Sequence, residues 1–237
     1  MVAQTGPMLV VIDGPAGAGK TTVARRVAAA LGVPLLDTGA IYRTLALVAQ
    51  RRAVAWDDEP GLVALCTGFP IAFGALDASG QAQAVRFADE DVSAAIRTPE
   101  ISQGASRVSA VPGVRAALLG IQRSLALQGC VAEGRDMGTV VFPDAPFKFF
   151  LTAALRTRAL RRHTELMQPG VVPPSLEAVE RDVAERDARD TSREAAPLRK
   201  ADDATEIDTS GLGLDDVVGV ILGHIAAGPR TAAERQI

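Results

Sequence analysis

The stretch that decides the fold is residues 8–32, MLVVIDGPAGAGKTTVARRVAAALG. Its first six residues are mostly branched and apolar and end at Asp13, which predicts a short buried strand. The following TTVARRVAAAL predicts a helix that ends at Gly32. The apolar face predicted for this helix consists of Val23, Val27, Ala30 and Leu31. A strand and a helix joined by a glycine-rich loop are typical of an α/β fold.

The loop between them, Gly14-Pro-Ala-Gly-Ala-Gly-Lys-Thr21, has the P-loop pattern G-x-x-x-x-G-K-[ST] in its required context. Glycines allow the backbone to curl so that successive N–H groups point at phosphate oxygens. Lys20 can bridge the β- and γ-phosphates, and the Thr21 hydroxyl can ligate Mg²⁺. The sequence therefore predicts a bound nucleoside triphosphate. The residues predicted to hold it are Gly14, Pro15, Ala16, Gly17, Ala18, Gly19, Lys20, Thr21 and Thr22.

Composition limits the possible classes of protein. The chain has 237 residues, of which 48% are hydrophobic, and a net charge of -3, which argues against binding to nucleic acid through bulk charge. Its two cysteines fit a reducing compartment better than a disulfide framework. No apolar run approaches the roughly 18 residues that a membrane span needs. We expect a cytoplasmic monomer with neither nucleic acid nor membrane among its partners.

The rest of the chain alternates short apolar runs with helical patterns, which predicts a three-layer parallel α/β sheet within a single domain, 1–237. Further strands are predicted at 34–37, 130–134, 147–151 and 204–208, and the first of these leads into a helix predicted from about Thr38 to Arg51. Two β-like runs around a turn at 77–80 predict an inserted subdomain at about 66–92. Helices at about 99–110 and 113–128 are divided by Pro112. A last helix is expected at 213–227, before a polar tail.

Polar residues follow two of these strands directly. Thr38, Tyr42 and Arg43 come after the second strand, and Arg135 and Asp136 lie between two glycines after the strand at 130–134. Ligands in open α/β sheets bind beyond the carboxyl ends of the strands, so these side chains are expected near the P-loop. The alternative for the first group is a helix cap formed by Thr38 beside a surface arginine.

The helix predicted from Ser175 to about Glu194 carries an apolar stripe that continues into charged residues. The apolar members are Leu176, Val179 and Val183, and the charged members are Arg186, Asp190 and Arg193. Charges on an inward-facing stripe need partners or a ligand. The alternative is a structural ladder of salt bridges.

The preceding helix, about 156–167, is rich in arginine. Arg158, Arg161 and Arg162 have the spacing of one helical face, and the loop 168–174 can act as a hinge. The segment 156–190 is therefore predicted to close over a bound triphosphate as a lid. The alternative is a solvated basic helix.

Five segments carry a resemblance to a known family: IDGPAGAGK, LDTGAIYR, EDVSAAIRTPEIS, VAEGRDMGTVVFPDAPFKFFL and RDARDTSREAAPL. Over about residues 8–226 the chain resembles the bacterial cytidylate kinases, which belong to the nucleoside monophosphate kinase group. The resemblance implies a parallel sheet of about five strands with a lid and a nucleoside-monophosphate-binding insert. It also implies transfer of phosphate from ATP to CMP or dCMP with Mg²⁺.

The same resemblance implies a role for each matching position. Arg43 and Arg135 would bind the phosphate of CMP. Thr38, Arg186 and Asp190 would face its sugar. The base would be bound by Ser106, Arg115, Asp136 and Arg193. Residues that would act during transfer are Lys20, Arg135, Arg158, Arg162 and Arg186. Asp136 can accept a hydrogen bond from the amino group of cytosine, whereas uracil presents an oxygen there. Relatives often have serine at the position of Thr38, which keeps the hydroxyl.

Two other classes of P-loop protein are alternatives to the cytidylate kinases. A regulatory GTPase needs an Asn-Lys-x-Asp segment to bind guanine, and the chain contains no asparagine. The closer alternatives are small-molecule kinases that act on UMP and CMP, dephospho-coenzyme A or shikimate. These would lack the segment GRDMGTVVFPDA, so the sequence favours the cytidylate kinases.

Overall fold

The computed structural model describes residues 7–77, 80, 82–167 and 173–229. Its strands are β1 (Leu9–Asp13), β2 (Leu35–Asp37), β3 (Ile71–Leu76), β4 (Gln83–Phe87), β5 (Glu90–Asp91), β6 (Cys130–Glu133), β7 (Phe147–Thr152) and β8 (Thr205–Asp208). Its α-helices are α1 (Lys20–Leu31), α2 (Thr38–Arg51), α3 (Glu59–Cys66), α4 (Pro99–Val108), α5 (Pro112–Leu125), α6 (Leu155–Leu166), α7 (Leu176–Ser192) and α8 (Leu214–Ala227). Short 3₁₀ and π-helices occupy Ala95–Arg97 and Met137–Val141.

Five strands form a parallel sheet in the order β2-β6-β1-β7-β8, which confirms the predicted α/β class. Apolar side chains cover both faces. One cluster joins the sheet to α1 and α8, and the other joins it to α2, α4 and α5. Because all five strands are parallel, their carboxyl ends lie at one edge. Ile12 of β1 pairs there with Glu133 of β6 and Phe149 of β7.

Helix α1 begins at Lys20, one residue before the predicted start, and ends before Gly32 as predicted, but its buried face differs in part. The buried side chains include Val23, Ala24, Val27 and Ala28, whereas Ala30 is exposed, so the predicted place of Ala30 is wrong. The helix is held between the sheet and α8, and its buried face is therefore broader than the predicted stripe. Gly32 ends the helix with a left-handed φ of 66°, and its N–H donates back to the last turn.

The segment predicted as an insert contains a separate antiparallel sheet in the order β3-β4-β5. Its hairpin turn is closed by the Asp77 N–H, which donates to the Ala82 carbonyl at 2.8 Å. Ile71 and Val85 are buried in the cluster that also contains α2. The predicted hairpin is therefore confirmed, while the subdomain boundaries at 66–92 stay a prediction.

Helices α6 and α7 pack on each other around a small core of their own. Ala159, Val179 and Val183 are buried in it, with Leu176 at its margin, so the predicted apolar stripe of α7 faces inward. The helix ends at Ser192, two residues earlier than predicted, and Arg193 has an extended backbone. Residues 168–172 of the predicted hinge lie outside the described part of the chain. None of the helices among the described residues is long and apolar enough to cross a membrane.

Candidate active site

A cavity of about 460 Å³ opens at the carboxyl edge of the parallel sheet. Its walls come from the P-loop, from α2, α4, α5, α6 and α7, and from the loop after β6. Most of the predicted site residues line it: Ala16, Gly17, Gly19, Lys20, Thr21, Thr22, Thr38, Tyr42, Arg43, Ser106, Arg115, Arg135, Asp136, Arg162, Arg186, Asp190 and Arg193. The lining does not include Gly14, Pro15, Ala18 or Arg158, nor any described residue of 66–92. Residues from seven segments of the chain thus share one cleft.

The P-loop needs glycine where it passes close to other backbone. Gly14 has a φ of 145°, and a Cβ on it would lie 2.1 Å from the Leu151 carbonyl oxygen of β7. Gly17 has a φ of 75°, and a Cβ there would lie 2.9 Å from the Arg158 carbonyl oxygen of α6. No larger residue fits these two places without moving the backbone. The loop is therefore pressed between β7 and α6 with its other side toward the cavity.

Lys20 is the cation of this loop. Its side chain is buried, with the residue 5% exposed, and its Nζ donates to the Pro15 carbonyl at 2.7 Å. Burial and the nearby Arg135 lower the pKa of Lys20 to about 7, against the opposing effect of Glu133. Within the described residues Lys20 forms no ion pair. A phosphate entering the cavity would supply the negative charge that favours its protonated form.

Thr21 meets an acid that the sequence analysis did not single out. Its hydroxyl donates to Glu133 Oε1 at 2.5 Å. Glu133 is buried at the end of β6, where it pairs in register with Asp37 of β2. Burial and Asp37 raise the pKa of Glu133. A hydroxyl and a carboxylate at this point are oxygen ligands of the type that Mg²⁺ prefers. The sequence signal was the glutamate at the strand end, just before the glycine-bracketed loop.

Buried carboxylates hold two of the arginines that resemblance assigns to the phosphate of CMP. Arg43 pairs with Asp37 at 2.8 Å, and Arg135 Nε donates to Asp190 Oδ2 at 2.9 Å. Burial disfavours the charge of Asp190, but Arg135 and other arginines outweigh it and lower the pKa of this carboxyl. Thr38 is fixed as well, since its hydroxyl donates to the Glu133 carbonyl at 2.7 Å.

A second group of paired charges lies around Asp136. This buried carboxylate accepts a hydrogen bond from Arg115 and has Arg193 at 3.6 Å on its other oxygen. The Arg115 guanidinium also lies over the Tyr42 ring, 5.4 Å from its centroid. Since α5, α2 and the end of α7 supply these three side chains, Asp136 is held from several directions.

Ser106 lines the same end of the cavity from α4. Its Oγ accepts a hydrogen bond from Arg189 Nε of α7 at 3.3 Å. Arg189 also lines the cavity and was not among the predicted site residues. Its helical phase places it off the stripe through Asp190, so periodicity gave no signal for it.

Arg186 differs from the other cavity arginines. It forms no ion pair with any residue that the structure describes, and its Nε is buried without a hydrogen-bond partner. Burial lowers its pKa to about 10, as does the neighbouring Arg135, while Asp190 acts in the opposite direction. A buried cation without a counter-charge is costly unless a ligand supplies one. The cavity is therefore suited to an anion beside Arg186.

The three arginines of α6 do not act as one face. Arg158 donates to the Ala16 carbonyl at 3.0 Å and pairs with Asp187, outside the cavity. Arg161 donates to the Thr209 carbonyl at 2.7 Å. Arg162 alone of the three lines the cavity, and it pairs with Glu165 at 3.0 Å. The predicted common cationic face is therefore wrong for this conformation, because each guanidinium has a different partner.

Comparisons with known proteins agree on one family. The family model described as "Cytidylate kinase" matches residues 10–227. The chain is 47% identical to a cytidylate kinase of Shewanella loihica, over 94% of this chain and 96% of that one. It is 48% identical to the cytidylate kinase of Methylococcus capsulatus, over 94% and 98% of the two chains. A cytidylate kinase of Syntrophotalea carbinolica is also 48% identical, over 92% of each chain.

Proposed function

The chain belongs to the cytidylate kinase family, and from this premise we propose that it transfers the γ-phosphoryl group of ATP to CMP or dCMP. The products are ADP and CDP or dCDP. One observation carries the proposal: Arg186, whose Nε is buried and which forms no ion pair among the described residues, lines the same cavity as the P-loop cation Lys20. Two such cations suit the phosphates of a donor and an acceptor.

On the donor side, the P-loop residues Gly14 to Thr22 hold the phosphates of ATP. Mg²⁺ fits beside Thr21, because the hydroxyl of Thr21 and the carboxylate of Glu133 are 2.5 Å apart and both are oxygen ligands. When bound, the metal would supply positive charge to the phosphate oxygens of ATP. Asp37 lies beside Glu133 in the sheet and would add negative charge near this site.

On the acceptor side, the residues around Asp136 read the base. Asp136 accepts a hydrogen bond from the amino group of cytosine, while Arg115 and Ser106 donate to the ring nitrogen and the carbonyl. Uracil would put an oxygen against the Asp136 carboxylate, and such a buried mismatch discriminates strongly. Arg193 helps to hold this carboxylate in place, because its guanidinium lies 3.6 Å from Asp136 Oδ1.

Transfer itself needs positioning and charge neutralisation rather than a covalent nucleophile. Four cations of the cavity lining, Lys20, Arg135, Arg162 and Arg186, neutralise the oxygens of the transferred group. The predicted catalytic role of Arg158 stays a prediction, since its guanidinium contacts the Ala16 carbonyl on the far side of the P-loop. Helices α6 and α7 serve as the lid that excludes water.

Three further expectations accompany this function. The segment 66–92 is proposed to support the acceptor-binding half, through its packing against α2. The cytoplasmic location and the monomeric state stay predictions from composition and resemblance.

The function is tested by ADP release in a coupled assay with CMP, dCMP, UMP, AMP, GMP and shikimate as acceptors. CMP and dCMP should give the highest kcat/KM. A reaction without acceptor measures plain ATP hydrolysis and should be slow. Turnover with another acceptor but none with CMP or dCMP would refute the proposal.

A further inference from the structure

The cavity has a donor half at the P-loop and an acceptor half around Asp136. Asp13 is buried between these two halves, yet it does not line the cavity. It is the last residue of β1, the central strand, and the P-loop begins at the next residue. Its carboxylate is bound by the loop that follows β6: Oδ1 accepts from the Met137 N–H at 2.9 Å and Oδ2 accepts from the Gly138 N–H at 2.8 Å. Each carboxylate oxygen thus holds one amide of the loop that follows β6.

These two amides are the first of the π-helix Met137–Val141. The opening N–H groups of a helix have no partner inside it and are usually capped by the side chain just before it. That residue here is Asp136, and aspartate is among the preferred caps. Asp136 nevertheless makes no side-chain cap. Asp13 supplies the cap instead, from a strand more than 120 residues earlier.

Because Asp13 caps the π-helix, the side chain of Asp136 is free to make other contacts. Relieved of capping, the Asp136 carboxylate accepts from Arg115 and lies beside Arg193 in the cavity. The space around the cap is filled, since a Cβ on Gly138 would lie 3.3 Å from Lys148 Cδ, closer than an ordinary contact, and 3.4 Å from a Val11 methyl group. The loop therefore has little room to shift while Asp13 holds its amides.

We propose that Asp13 is a positioning residue for base recognition: by capping the π-helix from β1, it aims Asp136 at the acceptor nucleotide. This inference rests on the proposed function. It assigns no contact with substrate to Asp13. It also gives the junction between β1 and the P-loop a second task, because the same strand end starts the donor loop and fixes the acceptor loop.

The test variant is Asp13→Asn, which keeps the size of the side chain but can accept only one of the two N–H groups. The backbone N–H group that loses its acceptor then competes for the Asp136 carboxylate, so recognition of cytosine should weaken. We expect the ratio of kcat/KM for CMP to that for UMP to fall about tenfold, as loss of one charge-assisted hydrogen bond implies. The KM for ATP should change little.

Asp208→Asn is the matched control. Asp208 also ends a strand of the same sheet, and it also accepts a backbone N–H, from Ser210 at 2.8 Å, but it is exposed and lies outside the cavity lining. The CMP to UMP ratio of this variant should equal that of the unmodified protein. An equal fall in both variants would overturn the proposal, since strand-end capping in general would then explain it.

A double-mutant cycle separates positioning from a general structural role. If Asp13 acts through Asp136, the double variant Asp13→Asn, Asp136→Asn should have the same ratio of kcat/KM for CMP to that for UMP as the single variant Asp136→Asn. Independent, additive effects would overturn the proposal, as would an unchanged ratio in the single variant. Failure of the unmodified protein to use CMP would instead refute the proposed function, so the two failures are distinct.

Discussion

The two halves of the cavity are built in opposite ways. The donor half is one run of consecutive residues whose shape depends on backbone, and the hydrogen-bond partner of its cation Lys20 among the described residues is the Pro15 carbonyl of its own loop. The acceptor half brings together segments far apart in the chain, and most of its arginines are paired with aspartates. Arg135 and Asp190, for example, are separated by 55 positions. A phosphate-binding loop can be formed by consecutive residues, whereas a site that recognises the base depends on assembly of the whole fold.

The pairing also divides the labour among the cations. Arg43, Arg115 and Arg135 have carboxylate partners, so much of their charge is already compensated. Lys20 and Arg186 have no acidic partner among the described residues, and burial lowers the pKa of both. An incoming phosphate therefore gains most from these two. The paired arginines serve mainly to hold the acceptor in a fixed orientation.

Removal of the donor cation should have the largest effect. Lys20→Ala should lower kcat by about a thousandfold, since it deletes a buried charge aimed at the transferred phosphate. The fold should stay intact by circular dichroism. Lys200→Ala, which removes an exposed lysine paired with Glu206, is the control and should keep normal turnover. A Lys20→Ala enzyme with near-normal kcat would show that the donor half does not work through this cation.

Asp13, which lies between the two halves, should make the free energy of unfolding depend on pH. Burial raises the pKa of Asp13 from 3.8 to about 6, although its two backbone hydrogen bonds oppose the shift. A carboxyl with a raised folded-state pKa contributes stability that is lost as pH rises from the unfolded value of 3.8 to the folded value of about 6, and here the loss should reach about 3 kcal/mol. Over this pH range, urea unfolding should show the free energy of unfolding of the unmodified protein falling relative to that of Asp13→Asn. Divergence in the opposite direction would contradict this account.

Arg186→Ala should separate acceptor from donor. We expect the KM for CMP to rise about thirtyfold and that for ATP much less, as loss of one charge-assisted contact to phosphate implies. The free energy of unfolding should not fall, because the side chain forms no ion pair among the described residues and its buried Nε has no hydrogen-bond partner. The matched control is Arg181→Ala, an exposed arginine of the same helix. A selective rise in the KM for ATP would place Arg186 in the donor half.

The smallest change is expected from Asp136→Asn. The amide can still accept one hydrogen bond, but it can also donate to the carbonyl of uracil. The ratio of kcat/KM for CMP to that for UMP should therefore narrow about tenfold. Steady-state kinetics with both acceptors measures this ratio directly. An unchanged ratio would show that Asp136 does not read the base, and would remove the basis for a positioning role of Asp13.

The sequence by itself determined the donor half and the frame of the fold. The P-loop follows from a fixed spacing of glycine, lysine and threonine, and α2 begins and ends at the predicted residues, Thr38 and Arg51. The inward stripe of α7 was also predicted, through Val179 and Val183. These features are local: backbone sterics and helical periodicity act between residues within a few positions of each other.

The tertiary structure alone decided which charges meet. It turned Arg158 to the Ala16 carbonyl outside the cavity, paired Thr21 with Glu133, and gave the cap of the π-helix to Asp13 rather than to Asp136. Each aspartate had several arginines available along the chain, and no periodicity distinguishes among them. The choice depends on which groups the packed helices bring within a few ångströms in a medium of low dielectric, because the interaction energy falls with both distance and screening.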